Sequence, residues 1–152
     1  MALPKNRNMK IKKVVVLASD HAGFNLKELI KKYLTKKKEK TLDLGTNSTY
    51  SVDYPDFAHR LSRQMKKKNN QVGILVCGSG IGMNIVANKH KNIRAALCYN
   101  VKSTMLSREH NNANVMALGA RLTKKKVALK CVDVFIKTKF KGGRHLKRVK
   151  KI

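Results

Sequence analysis

The segment of this chain best suited to chemistry is a cysteine followed by alternating glycines. An apolar run ends at Cys77, and three glycines follow at every second position: Gly78, Gly80 and Gly82. Glycines let the backbone turn tightly and bring its N–H groups close to a ligand, and a helix from about Met83 would direct its positive end to the same place. The segment therefore predicts an anion-binding loop beside a thiol, which could hold an oxyanion and favour the thiolate form of Cys77.

The hydrophobic pattern predicts the elements that position this loop. Apolar runs indicate strands over residues 12–18, 41–44, 72–77, 93–99 and 115–118. Apolar residues at helical spacing indicate helices between them. The first carries Leu26, Leu29, Ile30, Tyr33 and Leu34 on one face, and the fourth covers 102 to about 108. We expect Pro55 in the first turn of the second helix, Thr123 as the cap of the fifth, and a short basic helix after Gly142-Gly143.

Five alternations of strand and helix predict an α/β fold, a Rossmann-like three-layer α/β/α sandwich with a five-stranded parallel sheet and a C-terminal basic helix. Ligands of such sheets bind outside the C-terminal ends of the strands. Residues 19–21, 77–82 and 119–121 should therefore converge on one crevice. We expect one domain over residues 12–152 after a flexible basic segment over residues 1–11.

The glycine loop does not match the common nucleotide-binding patterns. The dinucleotide fingerprint has G-x-G-x-x-G after the first strand and an acid at the end of the next, whereas here G-x-G-x-G follows the third predicted strand and no acid ends the fourth. No Gly-Lys-Ser/Thr closes the loop as in a P-loop. A small phosphorylated or oxyanionic substrate fits better than ATP or NAD.

The chain is strongly basic, with 35 Lys plus Arg against 8 Asp plus Glu and a formal net charge of +27. Such a charge attracts phosphate backbones in a salt-dependent way. However, the basic residues form scattered short runs, and few aromatic residues (4 Phe, 4 Tyr, no Trp) are present to stack on bases. A solvated surface with nonspecific nucleic-acid contact is therefore favoured, and a nucleic-acid-binding protein on this scaffold remains the alternative of another class.

Cysteine usage and hydropathy indicate a cytoplasmic protein. The three cysteines lack C-x-x-C spacing, which argues against a disulfide framework and a zinc site, and Cys98 and Cys131 are expected in the core. The longest apolar stretches are far shorter than the roughly 20 residues that cross a bilayer. Residues 1–13 have no apolar core of a secretory signal, so we expect no membrane contact.

Eight short segments occur in an order typical of one family. They are Asp20-His21-Ala22-Gly23, Leu26-Lys27-Glu28, Asp53-Tyr54-Pro55, Cys77-Gly-Ser-Gly-Ile-Gly82, Ala87-Asn88-Lys89, Ser107-Arg108-Glu109-His110-Asn111, Asn114-Val115 and Gly142-Gly143-Arg144-His145. Together they resemble type B ribose-5-phosphate isomerase, of the ribose/galactose isomerase family, over roughly residues 12–150. Galactose 6-phosphate and allose 6-phosphate are alternative substrates within this family.

The resemblance implies an aldose–ketose isomerisation of the pentose phosphate pathway, without metal or cofactor, through an enediolate. Cys77 resembles the family's proton acceptor. Another branch uses a glutamate just after the loop, where this chain has Met83. Ser79 would stabilise the enediolate oxygen together with the loop amides of Gly78, Gly80, Ile81 and Gly82. His110 matches the acid that helps to open the sugar ring.

The resemblance also implies the groups that bind substrate. Asn111 would bind hydroxyls, and Asp20 and His21 would hold the sugar. Three arginines match substrate-binding positions: Arg121, Arg144 and Arg148. The last two, spaced i, i+4 in a predicted helix, can share a phosphate. The family's site forms between subunits, so we expect a homodimer or a dimer of dimers with shared active sites.

A few positions near these motifs are open to two interpretations. Asp53 and Tyr54 either line the site or begin a helix, and His145 either joins the site or covers the tail helix. Asn112 stands where the family usually has aspartate, which removes a carboxylate near His110. Two further histidines, His59 and His90, are expected to be solvated.

Overall fold

The computed structural model describes residues 12–152, which contain a five-stranded parallel sheet. Its strands are β1 (Val14–Ser19), β2 (Lys40–Asp43), β3 (Gln71–Cys77), β4 (Ala95–Leu97) and β5 (Val115–Gly119). They pair in the order β2-β1-β3-β5-β4, and all neighbours are parallel. The predicted α/β fold is confirmed, whereas the predicted flexible segment 1–11 lies outside the described residues.

Helices cover both faces of the sheet. They are α1 (Phe24–Lys36), α2 (Tyr54–Met65), α3 (Ile81–Ala87), α4 (Val101–Asn111), α5 (Lys125–Lys137) and α6 (Arg144–Val149). Alternate residues of β1 point to opposite faces: Val15 and Leu17 pack in the cluster with α1 and α5, while Val16 and Ala18 pack in the cluster with α2 and α3. Because both faces are buried, the strands have continuous apolar sequences. In the described part of the chain, no helix is long and apolar enough to cross a membrane.

Several predicted boundaries differ from those observed. The fourth strand is shorter than 93–99, because Ile93 belongs to a turn in which its N–H donates to the carbonyl of His90. The fourth helix continues to Asn111, where Asn112 ends it in the left-handed conformation at φ 47°. The capping role expected for Thr123 is wrong: Lys124 is the N-cap residue, and the buried Thr123 hydroxyl has no hydrogen-bond partner among residues 12–152.

A buried ion-pair network ties α1 to the end of β2. Lys27 is 0% exposed, and its Nζ donates to Asp43 Oδ2 at 2.7 Å and to Glu28 Oε1 at 2.9 Å. Lys31 also donates to Asp43, at 2.9 Å. Burial alone would raise the pKa of Asp43, but hydrogen bonds from Lys27, the amide of Gly45 and Lys31 lower it. The carboxylate is therefore held ionised beside the buried ammonium.

Candidate active site

The loop after β3 is shaped around the Cys77 thiol. Cys77 is 4% exposed, and its Sγ accepts a hydrogen bond from the Gly80 N–H at 3.1 Å. Gly80 has φ +80°, and a Cβ there would lie 2.9 Å from the Leu118 carbonyl carbon. Only glycine suits that backbone without strain. The next amide, of Ile81, donates to Ser79 Oγ at 3.2 Å, so the loop is ordered by its own hydrogen bonds.

A cavity of about 310 Å³ opens at the C-terminal ends of β1, β3 and β5. Its lining residues are Asp20, Tyr54, Cys77, Gly78, Ser79, Gly82, Arg121 and Leu122. All three strand ends expected to converge contribute to it. The structure thus brings one carboxylate, one thiol, two hydroxyls and one guanidinium to a single cavity, as a polar substrate that carries hydroxyl groups and a negative charge would require.

Asp20 and Arg121 provide opposite charges on two sides of Cys77. The Asp20 carboxylate is buried, and its Oδ1 accepts from the Gly23 N–H at 3.0 Å, which fixes the turn into α1. The exposed Arg121 side chain lies over Gly78, where a Cβ would approach its Nη1 to 3.2 Å. No carboxylate of the described residues pairs with Arg121. Its charge is therefore available to a ligand.

His21 lies at the same end of the sheet, but it does not line the cavity. Its Nδ1 accepts a hydrogen bond from the Val52 N–H at 3.1 Å. In the neutral ring the proton is then on Nε2. The contact links the end of β1 to the loop before α2 and fixes the orientation of the ring.

Two cavity residues extend the predicted set. Tyr54 begins α2 and also lies over Gly82, where a Cβ would come within 2.7 Å of the tyrosine ring, so both roles left open for Tyr54 are present. Leu122 lines the cavity although it is largely exposed. Its only signal in the sequence is its position directly after Arg121, at the expected end of β5. Asp53 is the N-cap residue of α2 and makes no side-chain capping bond.

The remaining predicted residues lie at the opposite end of the sheet. They are His110, Asn111, Arg144 and Arg148, and with His145 they form what we call the His110 cluster. The helix α4 runs back from the end of β4 towards the start of β5, where the Asn114 carbonyl accepts from the Gly73 N–H. The adjoining Glu109 carbonyl accepts from the Lys141 N–H at 3.0 Å, which brings the chain leading into α6 beside His110.

The length of the sheet separates the residues of the Cys77 cavity from the His110 cluster. At roughly 3.3 Å per residue, the seven-residue strand β3 spans about 20 Å between its ends. Proton transfer requires a heavy-atom separation of about 3 Å. Within one chain, therefore, His110 cannot act on a substrate held at Cys77.

The His110 cluster is organised by stacking and by helical spacing. The rings of His110 and His145 stack with centroids 4.2 Å apart and planes at 12°. Burial, followed by the nearby His110, Arg144, Arg148 and Lys141, lowers the pKa of His145, which favours its neutral ring. Arg144 and Arg148 lie one turn apart on α6, both exposed and without a carboxylate partner among residues 12–152. The pair is free to bind an anion.

The left-handed backbone at the end of α4 suits the asparagine at position 112. Asparagine tolerates this conformation well at a helix end. Its Oδ1 accepts a hydrogen bond from Arg108 Nη1 at 3.2 Å. The neutral side chain thus serves helix termination and leaves Arg108 without a carboxylate at this position.

Other chemistry-bearing side chains lie outside both sets. Burial raises the pKa of Cys98 to about 11 and also raises the pKa of Cys131, so both thiols stay protonated. The expectation that His59 and His90 are solvated is wrong: both are half-buried, and His59 Nδ1 lies 2.7 Å from His90 Nε2. Burial, followed by Lys66, His59 and Arg63, lowers the pKa of His90.

Comparison with known proteins gives a consistent result. Residues 15–152 match the family model described as Ribose/Galactose Isomerase. Ribose-5-phosphate isomerase B of Escherichia coli K12 is 38% identical over 140 residues, which cover 92% of this chain and 94% of that protein. The structure of ribose-5-phosphate isomerase B from Clostridium thermocellum has a TM-score of 0.89 and 44% identity, covering 91% of this chain and 93% of that one.

A further solved structure contains a ligand. It is ribose-5-phosphate isomerase B from Mycoplasma genitalium with bound ribulose-5-phosphate. Its TM-score is 0.88 and its sequence identity is 41%, covering 91% of this chain and 92% of that chain. The family match over residues 15–152 includes both sets of candidate site residues.

Proposed function

The chain belongs to the Ribose/Galactose Isomerase family, and we propose on this premise that it interconverts ribose 5-phosphate and ribulose 5-phosphate. The observation that carries the proposal is the Cys77 thiol, held by the Gly80 N–H at the lip of a cavity that also contains Asp20 and Arg121. The similarity to ribose-5-phosphate isomerase B along nearly the whole chain supports this substrate.

Cys77 acts as the proton carrier. In the open-chain aldose its thiolate removes the C2 proton, and the electron pair moves into a C1–C2 double bond while the carbonyl oxygen O1 becomes an enediolate oxygen. The same proton then returns to C1, O1 gains a proton and O2 loses one, which yields the ketose. The Gly80 N–H donates to this sulfur and fixes its position before the transfer.

The glycine loop stabilises the charge that develops on the substrate. We assign this role to the Ser79 hydroxyl and to the amides of Gly78, Ile81 and Gly82, which belong to the same loop as the thiol. Because the loop is already ordered, these donors need little reorganisation during the reaction. Asp20 lines the cavity and holds the sugar hydroxyls, while His21 offers only its Nε2 from outside the cavity lining, and the unpaired charge of Arg121 attracts the substrate anion.

A second subunit completes the site. The His110 cluster lies at the end of the sheet opposite to Cys77, and the ends of β3 are about 20 Å apart, so we assign its chemistry to the Cys77 cavity of a neighbouring chain. His110 is the acid that opens the sugar ring, Asn111 binds hydroxyl groups, and Arg144 with Arg148 binds the phosphate. The assembly is a homodimer or a dimer of dimers, in which each site uses residues of two chains.

Side-by-side kinetics test both the reaction and the substrate. The chain should turn over ribose 5-phosphate faster than allose 6-phosphate or galactose 6-phosphate. The variant Cys77→Ala should lose the activity, whereas Cys131→Ala, which removes another buried thiol, should keep it. A marked preference for a six-carbon substrate would refute the choice of sugar, and full activity of Cys77→Ala would refute the mechanism.

A further inference from the structure

A second cavity, of about 570 Å³, lies where β1, β3 and β5 begin, at the end of the sheet opposite to Cys77. Its lining contains six cationic side chains: Lys13, Lys66, Lys68, Lys91, Arg94 and Arg108. We call it the six-cation cavity. It shares no lining residue with the Cys77 cavity and contains no member of the His110 cluster.

The charges of this cavity have no counter-ion in the described part of the chain. No aspartate or glutamate lines the cavity, and none of the ion pairs formed by residues 12–152 involves its six cations. The sequence of residues 1–11 contains no acidic residue that could supply one. The cavity therefore concentrates positive charge that no acidic residue neutralises.

The lack of a counter-ion is most unfavourable for Arg108, because this guanidinium is buried. It is 5% exposed, and its guanidinium donates to the carbonyl of Thr138 at 3.1 Å, to the carbonyl of Ala113 and to Asn112 Oδ1. All of these acceptors are neutral. A buried charge is normally paired with an opposite charge, since neutral hydrogen bonds replace only part of its hydration.

Burial disfavours the charged forms of three of these cations, and for two of them a neighbouring arginine adds to the effect. Burial lowers the pKa of Arg94. Burial and then the charge of Arg94 lower the pKa of Arg108, and burial and then the charge of Arg108 lower the pKa of Lys13. Each of these shifts destabilises the charged form, and a bound anion would reverse it.

An orphaned polar group in the same cavity points to the chemistry of the ligand. Gln71 lines the cavity and is 6% exposed, and its buried Oε1 has no hydrogen-bond partner among residues 12–152. A buried polar atom without a partner is unfavourable, because it has lost its hydrogen bonds to water. A ligand hydroxyl would satisfy it, whereas a phosphate without a proton would not.

We propose that the six-cation cavity binds a small polyol that carries two or more phosphate groups, such as a sugar bisphosphate. The cations bind the phosphates, and Gln71 accepts from a hydroxyl. The volume falls within the range of about 300–1,000 Å³ usual for small-molecule sites. A nucleobase fits poorly because no aromatic side chain lines the cavity and its apolar lining consists of Met65 and Val72. This site goes beyond the proposed isomerase function and does not depend on it.

Calorimetric titration tests the site with defined probes: fructose 1,6-bisphosphate, pyrophosphate and inorganic phosphate at physiological ionic strength. The titrations use the Arg144→Gln/Arg148→Gln variant, in which the phosphate-binding arginines of the proposed active site are removed. Fructose 1,6-bisphosphate should bind with the highest affinity. Adding Arg94→Gln should weaken its binding about tenfold, the usual effect of losing a charge-assisted hydrogen bond.

Two further variants separate the roles of charge and hydroxyl recognition. Gln71→Leu should remove the preference for the bisphosphate over pyrophosphate, and the exposed control Lys130→Gln should change neither affinity. If Arg94→Gln melts below the assay temperature, the exposed pair Lys68→Gln/Lys91→Gln replaces it and should also weaken binding about tenfold.

Three outcomes would overturn the proposal. They are affinities that Arg94→Gln and Gln71→Leu leave unchanged, binding of the bisphosphate no tighter than binding of inorganic phosphate, and displacement of the bisphosphate by polyuridylic acid at equal phosphate concentration. The last result would assign the cavity to a nucleic-acid backbone.

Discussion

Mixing two inactive variants tests whether each active site draws on two chains. Cys77→Ala removes the proposed proton carrier, and His110→Ala removes the proposed ring-opening acid. These side chains lie at opposite ends of a sheet whose strand β3 spans about 20 Å. Each variant alone should be inactive on the cyclic substrate, because every site in its dimer lacks one of the two groups.

The expected activity of the mixture follows from the fraction of heterodimers and the number of intact sites in each. Equal amounts that exchange subunits freely give about one half heterodimers by random association. In each heterodimer, one site combines the intact Cys77 of one chain with the intact His110 of the other, while the second site carries both lesions. One of two sites in half of the dimers corresponds to about one quarter of the wild-type activity.

The assay is the rate of ribulose 5-phosphate formation after the variants are unfolded together and refolded. Variants refolded separately and then combined without exchange provide the control and should stay inactive. A mixture that remains inactive although heterodimers are detected by mass would refute the two-chain site, because sites contained within one chain could not complement each other.

The remaining predictions concern the loop, the buried ion pair and the paired histidines. Gly80→Ala should lower the free energy of unfolding by about 1–3 kcal/mol in urea and abolish activity, because the left-handed backbone and the carbonyl carbon 2.9 Å away leave no room for a Cβ; unchanged stability would contradict this. Asp43→Asn should cost about 3–5 kcal/mol, because it leaves Lys27 buried without its main partner; a loss below 1 kcal/mol would mean that the pair behaves like a surface salt bridge. The lowered pKa of Asp43 means that this stabilisation is present above about pH 3.8 and is lost as the pH falls through the folded-state pKa. His90 has a lowered pKa, so the unfolded state takes up its proton first and stability should fall as the pH drops below 6.5; His90→Gln should reduce this slope, and an unchanged slope would assign it to other groups.

The fold was predictable because its strands are buried on both faces. Runs such as the one in β3 contain little but apolar residues, so their positions are visible without knowledge of their neighbours. The ends of the strands and helices were harder to predict from the sequence. The fourth strand is shortened by a turn at Ile93, and the end of α4 depends on Asn112, whose left-handed conformation leaves no periodic signal.

The candidate site was predictable where its residues are close in sequence. The Cys77 loop is one continuous segment, and Asp20 and Arg121 follow from the rule that ligands bind at the C-terminal ends of parallel strands. Features that depend on distant segments were missed. Lys27 belongs to a lysine-rich helix, where a surface position is expected, but it is buried against Asp43. His59 contacts His90, which lies 31 positions later in the sequence. Pairings of this kind arise from helix packing, which local periodicity does not encode.

The position of the two sets of residues at opposite ends of one sheet makes the proposed catalysis a property of pairs of chains. A separated chain would contain a thiol without an acid and an acid without a thiol. At concentrations far below the dimer dissociation constant, total activity should grow with the square of chain concentration, and specific activity should fall in proportion to dilution. Association of the chains would then determine the number of active sites as strictly as the presence of the Cys77 thiol does.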